Sequence, residues 1–293
     1  MTTVRAPATS ANLGSGFDVF GLALAEPADV VTVSPSDETT VEVRGVGADA
    51  LPTDPAENIV GIVADLLGVT AAFSIEKGVR PSSGLGSSGA SAAGAVVALD
   101  RLYDLGLDTA AQIAVAAEAE GAIAGAPHAD NVAAAILGGF VVVTEDGSHT
   151  LDPELNLVAA LPGTTVSTAT AREVLPESVP LTDHVRTVSR AATLVVGMAR
   201  SDPDLVGQGM TDAVVTPRRS GLVPGFDEVT SAATAAGATG VALSGSGPAV
   251  LAVCRGDDRP AVAAAMEAAF DDAGVTSTTW RTVVGDGVRL LEG

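Results

Sequence analysis

The sequence predicts a two-domain α+β protein. Its 293 residues exceed the usual size of one domain. Hydrophobic residues make up 47% of it, enough for a sizeable core. Strand-like segments come in runs mixed with pairs of helices, which points to α+β layers rather than a regular alternating parallel sheet. The halves divide near residue 150, giving an N-terminal domain over 1–150 and a C-terminal domain over 151–293. Aromatics are only 3%, so Val, Leu, Ala and Ile must build the core.

The elements follow in order. Residues 1–45 alternate around valine, with Pro and Asp at the turns, and read as strands. From Pro52, "PTDPAENIVGIVADLLG" places Ile59, Ile62, Val63, Leu66 and Leu67 at helical spacing. "AAFSIEKGV" is a short strand ending at Gly78. The loop "RPSSGLGSSGAS", Arg80 to Ser91, comes next, and "ASAAGAVVALDRLYDLGL" continues as a helix. Thr109 starts another helix, "APHADNVAAAILGG" is a turn entering a short helix, and "FVVVTEDG" is a strand closing on Asp-Gly. In the second half, "LNLVAALPG" is a strand and "TVSTATAREVLP" a turn with a polar segment. Residues 181–238 read as broken helices, "TGVALSGSGPAVLAVC" as strand, Gly-rich turn and strand, "RPAVAAAMEAAFDDAG" as an amphipathic helix, and "TSTTWRTVV" as a strand.

Formal charge is −21, and Lys77 is the only lysine beside 14 arginines. Such a surface repels nucleic acid and anionic lipid. It suits a salt-rich cytoplasm, where ions screen the self-repulsion. Cys254 is the only cysteine, which excludes an internal disulfide. The N-terminus has no apolar signal core, and no apolar run is long enough to span a membrane. A cytoplasmic protein is expected.

The loop after the short strand has the makings of a phosphate cradle. A helix N-terminus presents unpaired N–H groups and the positive end of the helix dipole. Gly84, Gly86 and Gly89 let the backbone approach an anion, while Ser87 and Ser88 add hydroxyls for hydrogen bonds or a magnesium ion. The spacing matches neither G-x-x-x-x-G-K-[ST] nor the dinucleotide G-x-G-x-x-G pattern. On pattern alone, a structural Gly-Ser turn accounts for it about as well.

The segment Pro81-Ser82-Ser83-Gly84-Leu85-Gly86-Ser87-Ser88-Gly89-Ala90, continued by Ser91, resembles the ATP-binding signature of the GHMP kinase family. "APATSANLGSGFDVFGLAL", "HADNVAAAILGG", "TATAREVLP", "TPRRSGLVP" and "LSGSGPAVLAV" resemble, in that order along the chain, motifs of the family's homoserine-phosphorylating branch. The resemblance implies a ribosomal-protein-S5-like N-terminal domain that binds ATP and a ferredoxin-like C-terminal domain. It also implies Mg²⁺ as cofactor, L-homoserine as substrate, and a place in threonine biosynthesis. A salt-adapted source fits the charge, and a homodimer stays open. Shikimate or mevalonate phosphorylation, or a non-catalytic regulator of the same fold, are the other readings; intact Ser88, Glu120 and loop speak against the last.

The same resemblance implies the roles of single residues. Residues 81–91 hold the phosphates, with Ser88 and Glu120 on the metal and Glu118 as fallback. Asn58 and Ile59 meet adenine, with Lys77 nearby. His128, Asp130 and Asn131 form the acceptor turn, where Asn131 orients the hydroxyl and Asp130 is the carboxylate nearest to a base. Asp18 takes the substrate ammonium and Asn12 a polar end. Arg172 and Arg219 take the carboxylate, because paired guanidinium groups suit bidentate binding. Thr168 is a further pocket residue. Read singly, the Asn, Asp and Ser positions are ordinary caps and turn formers, and the Glu and Arg positions ordinary surface residues.

Overall fold

The computed structural model describes residues 1–124 and 129–293. The chain opens with strands β1 (Thr2–Ala11), β2 (Phe20–Pro35) and β3 (Thr40–Gly45). Helix α1 (Ile59–Leu66), strand β4 (Ala71–Lys77) and helices α2 (Ser87–Tyr103), α3 (Thr109–Ala124) and α4 (Ala129–Leu137) follow. The hairpin β5 (Phe140–Thr144) and β6 (Gly147–Leu151) ends the first half. The second half runs β7 (Asn156–Pro162), α5 (Thr168–Glu173), α6 (Leu181–Arg200), α7 (Pro203–Gly209), α8 (Thr216–Arg219) and α9 (Phe226–Ala235). It ends with β8 (Ala238–Leu243), β9 (Val250–Cys254), α10 (Arg259–Asp272), β10 (Ser277–Val283) and β11 (Arg289–Glu292).

Two sheets organise these elements. The first has the order β11-β1-β2-β4-β3, with β5 also on β2 and β6 on β5; only β3–β4 is parallel. Its helix-covered face buries Val4, Val31, Val33, Phe73 and Ile75 against α1, α2 and α3. The second sheet, β10-β7-β9-β8, is antiparallel throughout. Its central strands are covered on both faces, which is why "LVAALP" and "VLAVC" are apolar at every position. Val158 and Ala160 face α9 and α10, while Leu157, Ala159 and Leu161 face a core shared with Leu22, Leu24 and Phe140 of the first sheet. The period of two along β7 therefore welds the two halves together.

Three boundaries depart from the sequence reading. The helix expected from Pro52 starts at Ile59, because Asn58 caps it by accepting from Val60 N at 3.2 Å and the preceding residues form turns. Helix α2 starts inside the Gly-Ser loop, at Ser87. The polar segment after residue 165 contains α5, capped by Ser167, whose hydroxyl accepts from Thr170 N. Strand β11, unforeseen, returns to the first sheet and pairs with β1 at Val4↔Leu290.

Candidate functional site

Two glycine-rich turns, one from each half, meet backbone to backbone. Ser244 Oγ donates to Gly84 O at 2.7 Å, and Ala249 N donates to Ser83 O at 3.0 Å. Gly84 has φ +79°, and a Cβ there would lie 2.5 Å from Ser244 O and 2.7 Å from Gly247 O. The contact holds the loop in place ahead of α2. Gly86, also left-handed at φ 63°, is the N-cap of α2, and no side chain caps that helix. Its first-turn amides thus remain for an anion.

A cavity of about 420 Å³ opens beside this terminus. It is lined by Ser82, Ser83, Gly84, Gly86, Ser87 and Ser88 on the loop side, and by Glu120, Asp130 and Asn131 from α3 and α4. Asn12, Asp18, Thr168, Arg172 and Arg219 complete it, with Gly245 and Ser246 of the second turn. Fourteen positions singled out from sequence therefore share one space, although they are spread from residue 12 to residue 219. Pro81, Leu85, Gly89, Ala90 and Ser91 lie just outside its lining; Leu85 is wholly buried in the shared core and Ser91 sits beneath the loop. His128 lies outside the described residues.

Electrostatics divide the cavity into ends. At the acidic end, Ser88 and Glu120 line the same wall, with the serine hydroxyl next to the carboxyl group. The Glu120 carboxyl is pushed up to about 7, first by burial and then by the neighbouring Asp130 charge. A hard divalent ion with oxygen ligands fits this donor set of a serine hydroxyl and neighbouring carboxylates. Glu118 is exposed on another face of α3. Asp130 is buried and accepts from Asn131 N at 2.8 Å and from Asn131 Nδ2 at 3.2 Å.

At the basic end, Arg172 reaches both oxygens of Asp18, at 2.9 and 3.0 Å, in a half-exposed ion pair. Arg219 is buried; its Nε donates to Ala171 O at 2.9 Å and its Nη1 to Gly245 O at 3.2 Å. Burial, then the neighbouring Arg172 charge, lowers the pKa of Arg219. An anion between the two guanidinium groups would relieve that repulsion. Arg218 points away, donating to Val214 O, which separates the two adjacent arginines.

Several sequence expectations change in detail. Asn12, with φ 71°, donates to Gly245 O at 3.0 Å and accepts from Asp18 N at 2.9 Å, so its amide ties the Asp18 turn to the second glycine turn. The Ser87 hydroxyl donates to Val79 O, leaving its amide to face the cavity. Neither Asn58 nor Lys77 lines the cavity. Asn58 caps α1 and donates to Pro52 O, and Ile59 belongs to the helix-side core. The Lys77 ammonium is buried with Asp29, Ser91 Oγ and Ser87 O, bracing the loop from below.

Two contributors escaped the sequence reading. Phe17 lies under both guanidinium groups, 5.5 Å from Arg172 and 5.1 Å from Arg219, and spaces the pair. Thr9, on β1, donates to Asn131 Oδ1 at 2.8 Å. A lone aromatic in a Gly-Ser turn and a Thr inside a strand carry no local signal of either contact.

Residues 57–139 match the family model of the GHMP kinases N terminal domain, and residues 194–272 that of the GHMP kinases C terminal domain. The chain is 59% identical to a homoserine kinase of Halorubrum lacusprofundi, with all of both chains covered. The crystal structure of homoserine kinase from Cytophaga hutchinsonii superposes with a TM-score of 0.89 at 35% identity, covering 99% of this chain and 97% of that one. The L. major mevalonate kinase, in complex with R-mevalonate, shares the fold at a TM-score of 0.75 and 19% identity, covering 98% and 96%.

Proposed function

The chain belongs to the GHMP kinase family, and on that premise we propose that it is an ATP-dependent kinase that phosphorylates the side-chain hydroxyl of L-homoserine. The observation that carries this reading is the two-ended cavity: α2 amides for phosphates at one end, and Arg172, Arg219 and Asp18 at the other. Two guanidinium groups and a carboxylate complement an amino acid's carboxylate and ammonium. Mevalonate and shikimate have no ammonium for Asp18, and the mevalonate kinase likeness supports the fold alone. A regulator without activity has no need of the Ser88–Glu120 pair.

In this reading residues 82–88 bind the triphosphate, and Ser88 with Glu120 hold Mg²⁺, which neutralises phosphate charge when bound. Asn131, braced by Asp130, orients the acceptor hydroxyl. Because phosphoryl transfer depends chiefly on positioning and charge, no strongly basic group is required. Asp18 releases Arg172 to the substrate carboxylate as it takes the ammonium. We place the domain boundary near residue 150, with β11 as a tie across it, and the reaction in a salt-rich cytoplasm, feeding threonine formation. No helix among the described residues is long and apolar enough to cross a membrane.

Purified protein in molar KCl with Mg²⁺ is expected to form ADP in step with O-phosphohomoserine, and to leave shikimate and mevalonate unphosphorylated. Absence of homoserine-dependent ADP from folded protein would sink the reading. Arg219→Met is expected to raise the KM for homoserine about a hundredfold, the effect of removing one partner of a buried charged contact. The KM for ATP should stay within about twofold of the wild type, as steady-state kinetics varying each substrate will show.

A further inference from the structure

Thr9 is wholly buried, yet its side chain reaches the cavity wall through Asn131. Three contacts meet at this residue. Its backbone N donates to Leu85 O at 3.0 Å, which fastens β1 to the Gly-Ser loop. Its hydroxyl donates to Asn131 Oδ1 at 2.8 Å, which fastens β1 to α4. Gly86 passes directly over both groups: a Cβ there would land on Thr9 Oγ1 and lie 2.9 Å from Asn131 Oδ1. The loop that cradles an anion and the amide that faces the acceptor are therefore set against each other at Thr9.

The hydrogen bonds also fix which end of the amide points where. Asp130 Oδ1 already accepts the Asn131 backbone amide, and as a carboxylate oxygen it accepts only, so it takes the Nδ2 end. Thr9 donates to the other end, Oδ1. With both ends held, the second Nδ2 proton and the second Oδ1 lone pair keep fixed directions. Asp130 alone would set the identity of the nearer end but leave the plane of the amide free to rock.

We infer that Thr9 is a positioning residue for the acceptor hydroxyl: its side chain locks the Asn131 carboxamide at a set distance from the phosphate loop. The inference rests on the proposed phosphorylation of homoserine. It concerns placement of the acceptor rather than capture of the nucleotide, and this separates it from a structural role for a buried threonine.

The test uses full-length protein with wild type, Thr9→Val and Thr9→Ser assayed together in saline buffer with Mg²⁺. Valine keeps the branched shape and loses only the hydroxyl. Thr9→Val should lower kcat about tenfold, the scale of one hydrogen bond. ATP affinity by titration calorimetry should stay at the wild-type value, and the melting temperature should fall by no more than several degrees, the cost of one buried hydrogen bond. Thr9→Ser should recover most of the lost kcat. If Thr9→Val does not fold, Thr9→Ser and Thr9→Ala give the same comparison in a smaller side chain, and serine should be about tenfold faster. Equal kcat with and without the hydroxyl overturns the inference, as does a loss of ATP affinity that accounts for the loss of rate. Wild type inactive on homoserine would remove the substrate reading and this inference together, whereas active wild type with an equally active Thr9→Val removes this inference alone.

Discussion

Glu120→Gln is expected to slow turnover about a thousandfold while making the unliganded protein more stable above neutral pH. The rate effect follows from the proposed metal role of Glu120: a charged oxygen that would balance Mg²⁺ and phosphate charge is lost, a kind of contact whose removal typically costs 10²–10³ in rate. The stability effect follows from the Glu120 carboxyl, raised from 4.5 to about 7 by burial and by Asp130. Between those values the folded state holds a proton that the unfolded chain releases, so stability falls as pH rises through that window. Above it the full cost is present, about 3 kcal/mol at most. Glutamine has no charge to desolvate and relieves Asp130. Thermal melts without metal at pH 5 and pH 8 will check this: the wild type should lose stability relative to the variant on going to the higher pH. A variant that is equally slow but less stable at pH 8 would contradict the assignment of Glu120 as a strained, cation-seeking carboxylate.

Gly84→Ala is expected to lower stability by about 3 kcal/mol or more and to weaken ATP binding about a hundredfold. The left-handed φ of +79° costs any L-residue about 1–2 kcal/mol. The rest comes from the Cβ, placed 2.5 and 2.7 Å from the backbone oxygens of Ser244 and Gly247. Those oxygens cannot step aside, because Ser244 and Ala249 are themselves hydrogen-bonded to Gly84 and Ser83. Gly106→Ala is the matched control: φ is +71°, but a Cβ there meets nothing within 4 Å. It should show the conformational cost alone, about 1 kcal/mol, and leave ATP affinity intact. Urea unfolding and calorimetric titration of both variants will separate strain from collision; identical losses would mean that the two glycine turns are not interlocked.

Much of the cavity was legible because its chemistry is carried by short contiguous motifs. The loop 82–88, the pair Asp130-Asn131 and the arginines of "TATAREVLP" and "TPRRSGLVP" can each be read from neighbouring residues. What stayed hidden depends on contacts between distant segments. Thr9 looks like any strand threonine until α4 is laid against β1, and Phe17 like a turn aromatic until α5 and α8 bring their arginines over it. Asn58 and Lys77 also make contacts that their local sequence does not announce: Asn58 caps α1, and Lys77 braces the Gly-Ser loop through Ser87 O and Ser91 Oγ. Strand β11 was missed because "RLLE" is short and exposed, and only the open edge of β1 gives it a reason to be a strand.

The meeting of the loop before α2 with the turn before β9 has a consequence for how such enzymes diversify. The proposed phosphate cradle is not the property of one half of the chain, since the loop is held by hydrogen bonds from a turn more than 150 residues downstream. Grafting the N-terminal half of one relative onto the C-terminal half of another would join two turns that have not been fitted to each other.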